Sequence, residues 1–133
     1  MFSYFTIKDA NEMLPSVIKK FKNIVSMKNQ VVKIQSELET NPRYISSFKD
    51  YVIKKQELDS AISNFYKAIE DLEDTGVMIK SIDEGLLDFP SLRFNEEVWL
   101  CWKEGEKEIN FWHGKDEGFM GRKPLSVSDE SLV

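Results

Sequence analysis

Apolar residues recur at helical spacing in the first 76 residues and at strand spacing after them. Up to about Glu39, Leu14, Ile18, Phe21, Val25 and Val32 follow one another by fours and threes, with Lys28 filling the one slot between Val25 and Val32. Val17, Ile24, Val31 and Leu38 widen that stripe, which is the pattern of a helix with one buried side. Thr6 and Asp9 have the spacing of an N-cap followed by a first-turn acid, so a short helix is expected over about 7–13. Pro15 cannot donate a backbone hydrogen bond, and it is read as opening the long helix that follows. Asn41-Pro42 ends that helix. A second stripe, Phe48, Tyr51, Leu58, Ile62, Phe65, Ile69 and Leu72, predicts a helix over about 43–74 with Gly76 as its C-terminal cap. The short link between the two makes them an antiparallel hairpin. Two helices cannot cover stripes this wide, so the spare rows are expected to pack on the strands, on a second copy, or on both. A homodimer joined as a four-helix bundle is the expected assembly.

Beyond Gly76 the period changes to two. Val77–Ile82 is rich in β-branched residues, Leu86–Pro90 is apolar around Asp88, and Asn95-Glu96-Glu97 reads as a turn. Pro90 is expected to end its strand at a sheet edge or loop. Residues 98–103 and 107–113 form a hairpin around Gly105-Glu106, which sets Trp102 opposite Ile109 and Lys103 opposite Glu108. Val98, Leu100, Trp102, Ile109, Phe111 and His113 would then face the helices, with Trp99, Cys101, Asn110 and Trp112 on the far side. The fold class is α+β, in one domain. A short N-terminal helix and a long helical hairpin (1–76) precede a small antiparallel sheet (77–113) containing the hairpin 98–113. An irregular glycine-rich tail (114–133) follows, its last residues expected to be disordered.

Composition narrows the function classes. With 41% apolar and 31% charged residues in 133, the chain has enough apolar material for a core and no run that would cross a bilayer. The first residues lack the basic start and apolar stretch of a secretion signal. One cysteine excludes an internal disulfide and suits a reducing cytoplasm. The net charge of −5 falls wholly after residue 76, since residues 1–76 carry 11 basic and 11 acidic side chains. An acidic back half disfavours nucleic acid.

The unusual chemistry is crowded into residues 85–125, which hold all three tryptophans, Cys101 and the lone His113. Gly114, Gly118 and Gly121 permit close backbone approach, and Arg122 with Lys123 supplies positive charge beside them. A helical turn after His113 would project His113, Asp116 and Glu117 from one side, as metal ligands often are. Asp88 is expected to pair with Arg93 or Arg122. Cys101, in mid-strand among aromatics, reads as inert packing.

Several of these runs carry a resemblance. Thr6, Ala10-Asn11, Leu14-Pro15, Gly85-Leu86, Asp88-Phe89-Pro90, Leu92-Arg93, Leu100-Cys101-Trp102, Trp112-His113, Gly118-Phe119 and Gly121-Arg122-Lys123-Pro124-Leu125 together resemble the family called domain of unknown function 2203. These are small bacterial and archaeal proteins with a helical front and this tail. The resemblance spans about residues 5–125 and implies no activity.

Two functions are compatible with these features. The first is a cytoplasmic binding or assembly module, dimeric through its helices. Its tail would hold a small anionic ligand or a protein partner through His113, Asp88, Arg93, Asp116 and Arg122. The alternative is a metal-dependent, hydrolase-like enzyme with a divalent ion held by His113 and Asp116, Glu117 or Asp88. A single histidine fits a tight zinc site poorly, whereas oxygen-rich magnesium or manganese sites need none. No phosphate-binding glycine loop, nucleophile elbow or Cys/His metal spacing is present.

Overall fold

The computed structural model describes residues 4–126. The expected disorder at the end of the chain falls on residues 127–133, outside the described residues. The chain groups into two compact units: Lys19–Asp71, and Met1–Ile18 together with Leu72–Val133.

Helix α1, Ile7–Thr40, runs through both units without a break and carries Pro15 inside it. The structure therefore corrects the expected short first helix. Proline costs a helix interior about 3 kcal/mol, but Ala10, Leu14 and Val17 around it are all fully buried, and their packing outweighs the propensity. The start is as expected, with the Thr6 hydroxyl accepting the Asp9 N–H at 2.9 Å. Asn41 caps a short helix, α2 (Pro42–Ser46), by accepting the Arg43 N–H at 3.0 Å. Ser47 then leaves the helical region and its Oγ accepts the Asp50 N–H, so α3 (Phe48–Glu73) starts afresh where one helix was expected.

Within Lys19–Asp71 one core cluster is Ile34, Leu38 and Leu58, lined by Val31, Tyr44, Ala61 and Ile62. The buried seam of α1 draws on both expected rows, Leu14 and Phe21 from one and Val17, Ile24 and Leu38 from the other, while Val32 is exposed. The early part of the α3 stripe is exposed too, with Phe48 81% accessible. No helix among the described residues is long and apolar enough to cross a membrane.

The second unit is built on a five-stranded antiparallel meander: β1 (Met78–Ser81), β2 (Leu86–Arg93), β3 (Glu96–Lys103), β4 (Phe111–Gly114) and β5 (Lys123–Pro124). Pro90 does not end β2. Its carbonyl accepts the Phe5 N–H at 2.8 Å, so the side of the strand that lacks a donor faces the N-terminal segment, beyond the point where β1 has stopped. The edge logic for proline holds locally while the strand continues to Arg93. Phe94 and Asn95, both at positive φ, make the two-residue turn into β3.

The hairpin register differs from expectation by one residue. Trp99 lies opposite His113, Leu100 opposite Trp112 and Cys101 opposite Phe111. The link from Lys103 to Phe111 is not a two-residue turn. It is a long connection in which Glu106 accepts the Lys103 N–H, its carbonyl accepts the Trp102 indole N–H, and the Ile109 N–H turns away to Asn11 of α1. A one-residue slip exchanges the faces. Phe111 and His113 share a face with Cys101 and Trp99, not with Leu100 and Trp102.

Candidate functional site

Alternation along β2, β3 and β4 gives the sheet two buried sides of different character. One side carries Leu87, Phe89, Ser91, Val98, Leu100 and Trp112. It faces the N-terminal segment: Phe5 meets Phe89 edge-on at 5.3 Å, the Ser91 hydroxyl donates to the Phe5 carbonyl, and Ile7 shares a small cavity with Leu100 and Trp112. The opposite side carries Asp88, Pro90, Trp99, Cys101, Phe111 and His113. The tail folds over that second side. The Arg122 guanidinium stacks on Phe111 at 3.9 Å and on Phe119 at 4.7 Å, and Nη2 donates to both oxygens of Glu106 at 2.8 Å.

Beneath this cover three side chains converge. Asp88 is directly opposite Cys101, and His113 reaches across β3 to place Nε2 3.0 Å from Asp88 Oδ1. Asp88, Cys101 and His113 are each only 1% exposed, and one candidate ligand atom from each lies within 4.8 Å of the other two. The other ring nitrogen, Nδ1, is 3.0 Å from the Gly114 carbonyl. A carbonyl only accepts, so Nδ1 carries hydrogen, and Nε2 is the nitrogen presented to the cluster. The 3.0 Å contact between Nε2 and Oδ1 then requires one proton shared by imidazole and carboxyl. Burial raises the Asp88 carboxyl above its usual range, opposed by the hydrogen bond and charge of His113. Burial also pushes the Cys101 thiol up, from 9.0 to about 11, with Asp88 adding to the effect. The thiol is a weak donor to the carboxyl, and Asp88 Oδ2 has no conventional hydrogen-bond donor among the described residues.

The remaining expected site residues are held elsewhere. Asp88 pairs with His113 and not with an arginine. Arg122 is committed to Glu106, and the Arg93 guanidinium lies over Trp112 at 4.5 Å. Asp116 is exposed. Glu117 is held within the tail, with Oε1 accepting the Gly114 N–H at 3.0 Å and the Lys123 ammonium at 2.8 Å. Those two bonds hold its carboxyl below the usual range. The close approach expected of the tail glycines is to this carboxylate: a Cβ on Gly114 or Gly121 would fall 2.5 or 2.6 Å from a Glu117 oxygen, whereas one on Gly118 would meet nothing.

Two participants escaped the sequence reading, Cys101 and Glu106. Cys101 had a signal. A two-residue turn at Phe94-Asn95 pairs residues whose numbers are symmetric about it, which sets Asp88 against Cys101. Glu106 had none, because its partner comes from the far end of the tail.

A family model described as an uncharacterized conserved protein (DUF2203) matches residues 3–125. No curated protein and no solved structure matches the chain.

Proposed function

Since the chain belongs to the DUF2203 family of uncharacterized conserved proteins, we propose, from its geometry alone, that it is a homodimeric binding and assembly module of the cytoplasm. The observation that carries this reading is the apolar surface of the Lys19–Asp71 unit. Ile45, Phe48, Tyr51, Val52 and Ile53 are all exposed within residues 45–53, with Ile45 at 71%. Monomeric proteins seldom leave such a run uncovered. A second copy offers the same run, and a two-fold interface is self-complementary by construction. The single cysteine, buried and unpaired, suits a reducing compartment.

For the sheet-bearing unit, a protein partner is the better occupant than a small anion. The cations near the tail are matched, Arg122 by Glu106, Lys123 by Glu117 and Lys115 by Glu97. The groove nearby, of about 310 Å³, is lined by Tyr4, Met78, Pro90, Val98 and Trp99 together with the paired Glu97 and Lys115, and its largely apolar lining suits an apolar segment.

Sedimentation equilibrium at micromolar concentration tests the assembly. The wild-type chain should run at twice its mass, and Phe48→Glu should run as a monomer. Burying one Phe side chain contributes about 1.5–3 kcal/mol, and two copies are lost at a two-fold interface, so the dimer weakens by at least about 100-fold. A wild-type chain that stays monomeric at tens of micromolar ends this reading.

A further inference from the structure

We propose that Asp88, Cys101 and His113 form a transition-metal site that takes Zn²⁺ through one carboxylate oxygen, the thiolate and imidazole Nε2. The proposal is independent of the dimer. It joins Cys101 to His113 and Asp88 in place of the exposed acids of the tail.

Donor chemistry supports the assignment first. Sulfur, nitrogen and oxygen in one cluster suit a borderline divalent ion such as Zn²⁺, and a thiolate discriminates against magnesium and calcium. Thiolate and carboxylate carry two negative charges between them, which a divalent ion neutralises. A neutral assembly is what a cluster only 1% exposed can hold.

Geometry supports it second. Around a tetrahedral zinc the ligand atoms stand roughly 3.3–3.8 Å apart, as bond lengths of about 2.0–2.3 Å dictate. The atoms here lie within 4.8 Å of one another, and the closest pair, Nε2 and Oδ1, is at 3.0 Å. Side-chain adjustments of less than about 1 Å would therefore seat the ion. The imidazole is already oriented for it: Nδ1–H bonded to the Gly114 carbonyl is the usual outer support of a metal-bound histidine, leaving Nε2 as donor.

The third support is the buried oxygen Asp88 Oδ2, which has no conventional donor among the described residues. A dry carboxylate oxygen in that state is costly, and an ion bound to the carboxylate removes the cost. Three protein ligands leave a fourth position for water or another small ligand, in the manner of zinc sites that keep one place open.

Binding also has a proton balance. The ion displaces the thiol proton of Cys101 and the proton shared by Asp88 and His113, so about two protons leave for each ion bound.

The experiment uses the full chain, stripped with a chelator and titrated with Zn²⁺ and, separately, with Co²⁺. One ion should bind per chain. The Co²⁺ form should show a thiolate-to-cobalt charge-transfer band, and zinc uptake in weak buffer should release about two protons per ion. Cys101→Ser should lose the band and more than about 100-fold in affinity, because loss of an outer support alone costs 10–100-fold. Absence of stoichiometric binding overturns the proposal. So does binding without the charge-transfer band, or binding that Cys101→Ser leaves unchanged, since either places the ion on surface carboxylates. Should the variant fail to fold, the absorption of the wild-type Co²⁺ form decides alone.

Discussion

The Arg122–Glu106 pair anchors the tail over the polar side of the sheet, and Arg122→Met tests how strongly. Methionine keeps the aliphatic stem between Phe111 and Phe119 and deletes the charge and its donors. Glu106 then retains one donor from the pair of contacts it now has, the Lys103 N–H at 2.7 Å. Breaking a fully buried ion pair from one side costs about 3–5 kcal/mol. The side chains here are 14% and 21% exposed, so water reaches Glu106 and the cost falls to about 2 kcal/mol. Loss of the guanidinium from the two rings adds about 1 kcal/mol. The sum, about 3 kcal/mol, lowers the melting temperature by about 10 °C if the chain unfolds as a whole. Urea unfolding of Arg122→Met, Glu106→Gln and the double variant isolates the pair from the packing. A coupling near 2 kcal/mol is expected. A coupling under about 0.5 kcal/mol is the value of a solvated surface pair and refutes the anchoring role.

Two further outcomes follow from the same region. Gly114→Ala forces the Glu117 carboxylate off the Gly114 N–H and away from Lys123, and should cost about 1–2 kcal/mol in urea unfolding. Gly118→Ala, with open space around its Cβ, should stay within about 0.5 kcal/mol of wild type, and equal effects at both sites would contradict the seat described for Glu117. For the metal-stripped chain, the Cys101 thiol ionises near 9.0 when unfolded and only at about 11 when folded. Stability is therefore at its full value below the first pH and falls as pH rises to the second, by about 3 kcal/mol. Cys101→Ser should lack that alkaline component, and a matching pH dependence in the variant would assign it to other groups.

The elements were more legible in the sequence than their pairing. Thr6, Asn41 and Gly76 mark the helix ends because capping is local chemistry. The continuity of α1 through Pro15 was not legible, since it depends on burial of Ala10, Leu14 and Val17 against residues remote in sequence. His113 and Asp88 stood out as titratable groups in apolar strands, and the structure brings them together. Cys101 was hidden by a one-residue error in the hairpin register, which placed it opposite the wrong neighbours. Arg122 was visible as a charge beside glycines, but its partner Glu106 lies in an irregular connection whose path the alternation pattern does not encode.

That irregular connection between β3 and β4 has a meaning for how this sequence can vary. With the register that a tight two-residue turn would impose, the imidazole would point into the hydrocarbon beside Phe5 and Ile7, and Asn110 and Trp112 would take its place on the side of Asp88. The irregular path between Lys103 and Phe111 frees β4 to pair Trp99 with His113, and that pairing decides which layer of the molecule is oily and which is reactive. Residues added to this loop are absorbed within it, whereas a one-residue slip of β4 itself rewrites the chemistry of the interior without altering one side chain in the strands.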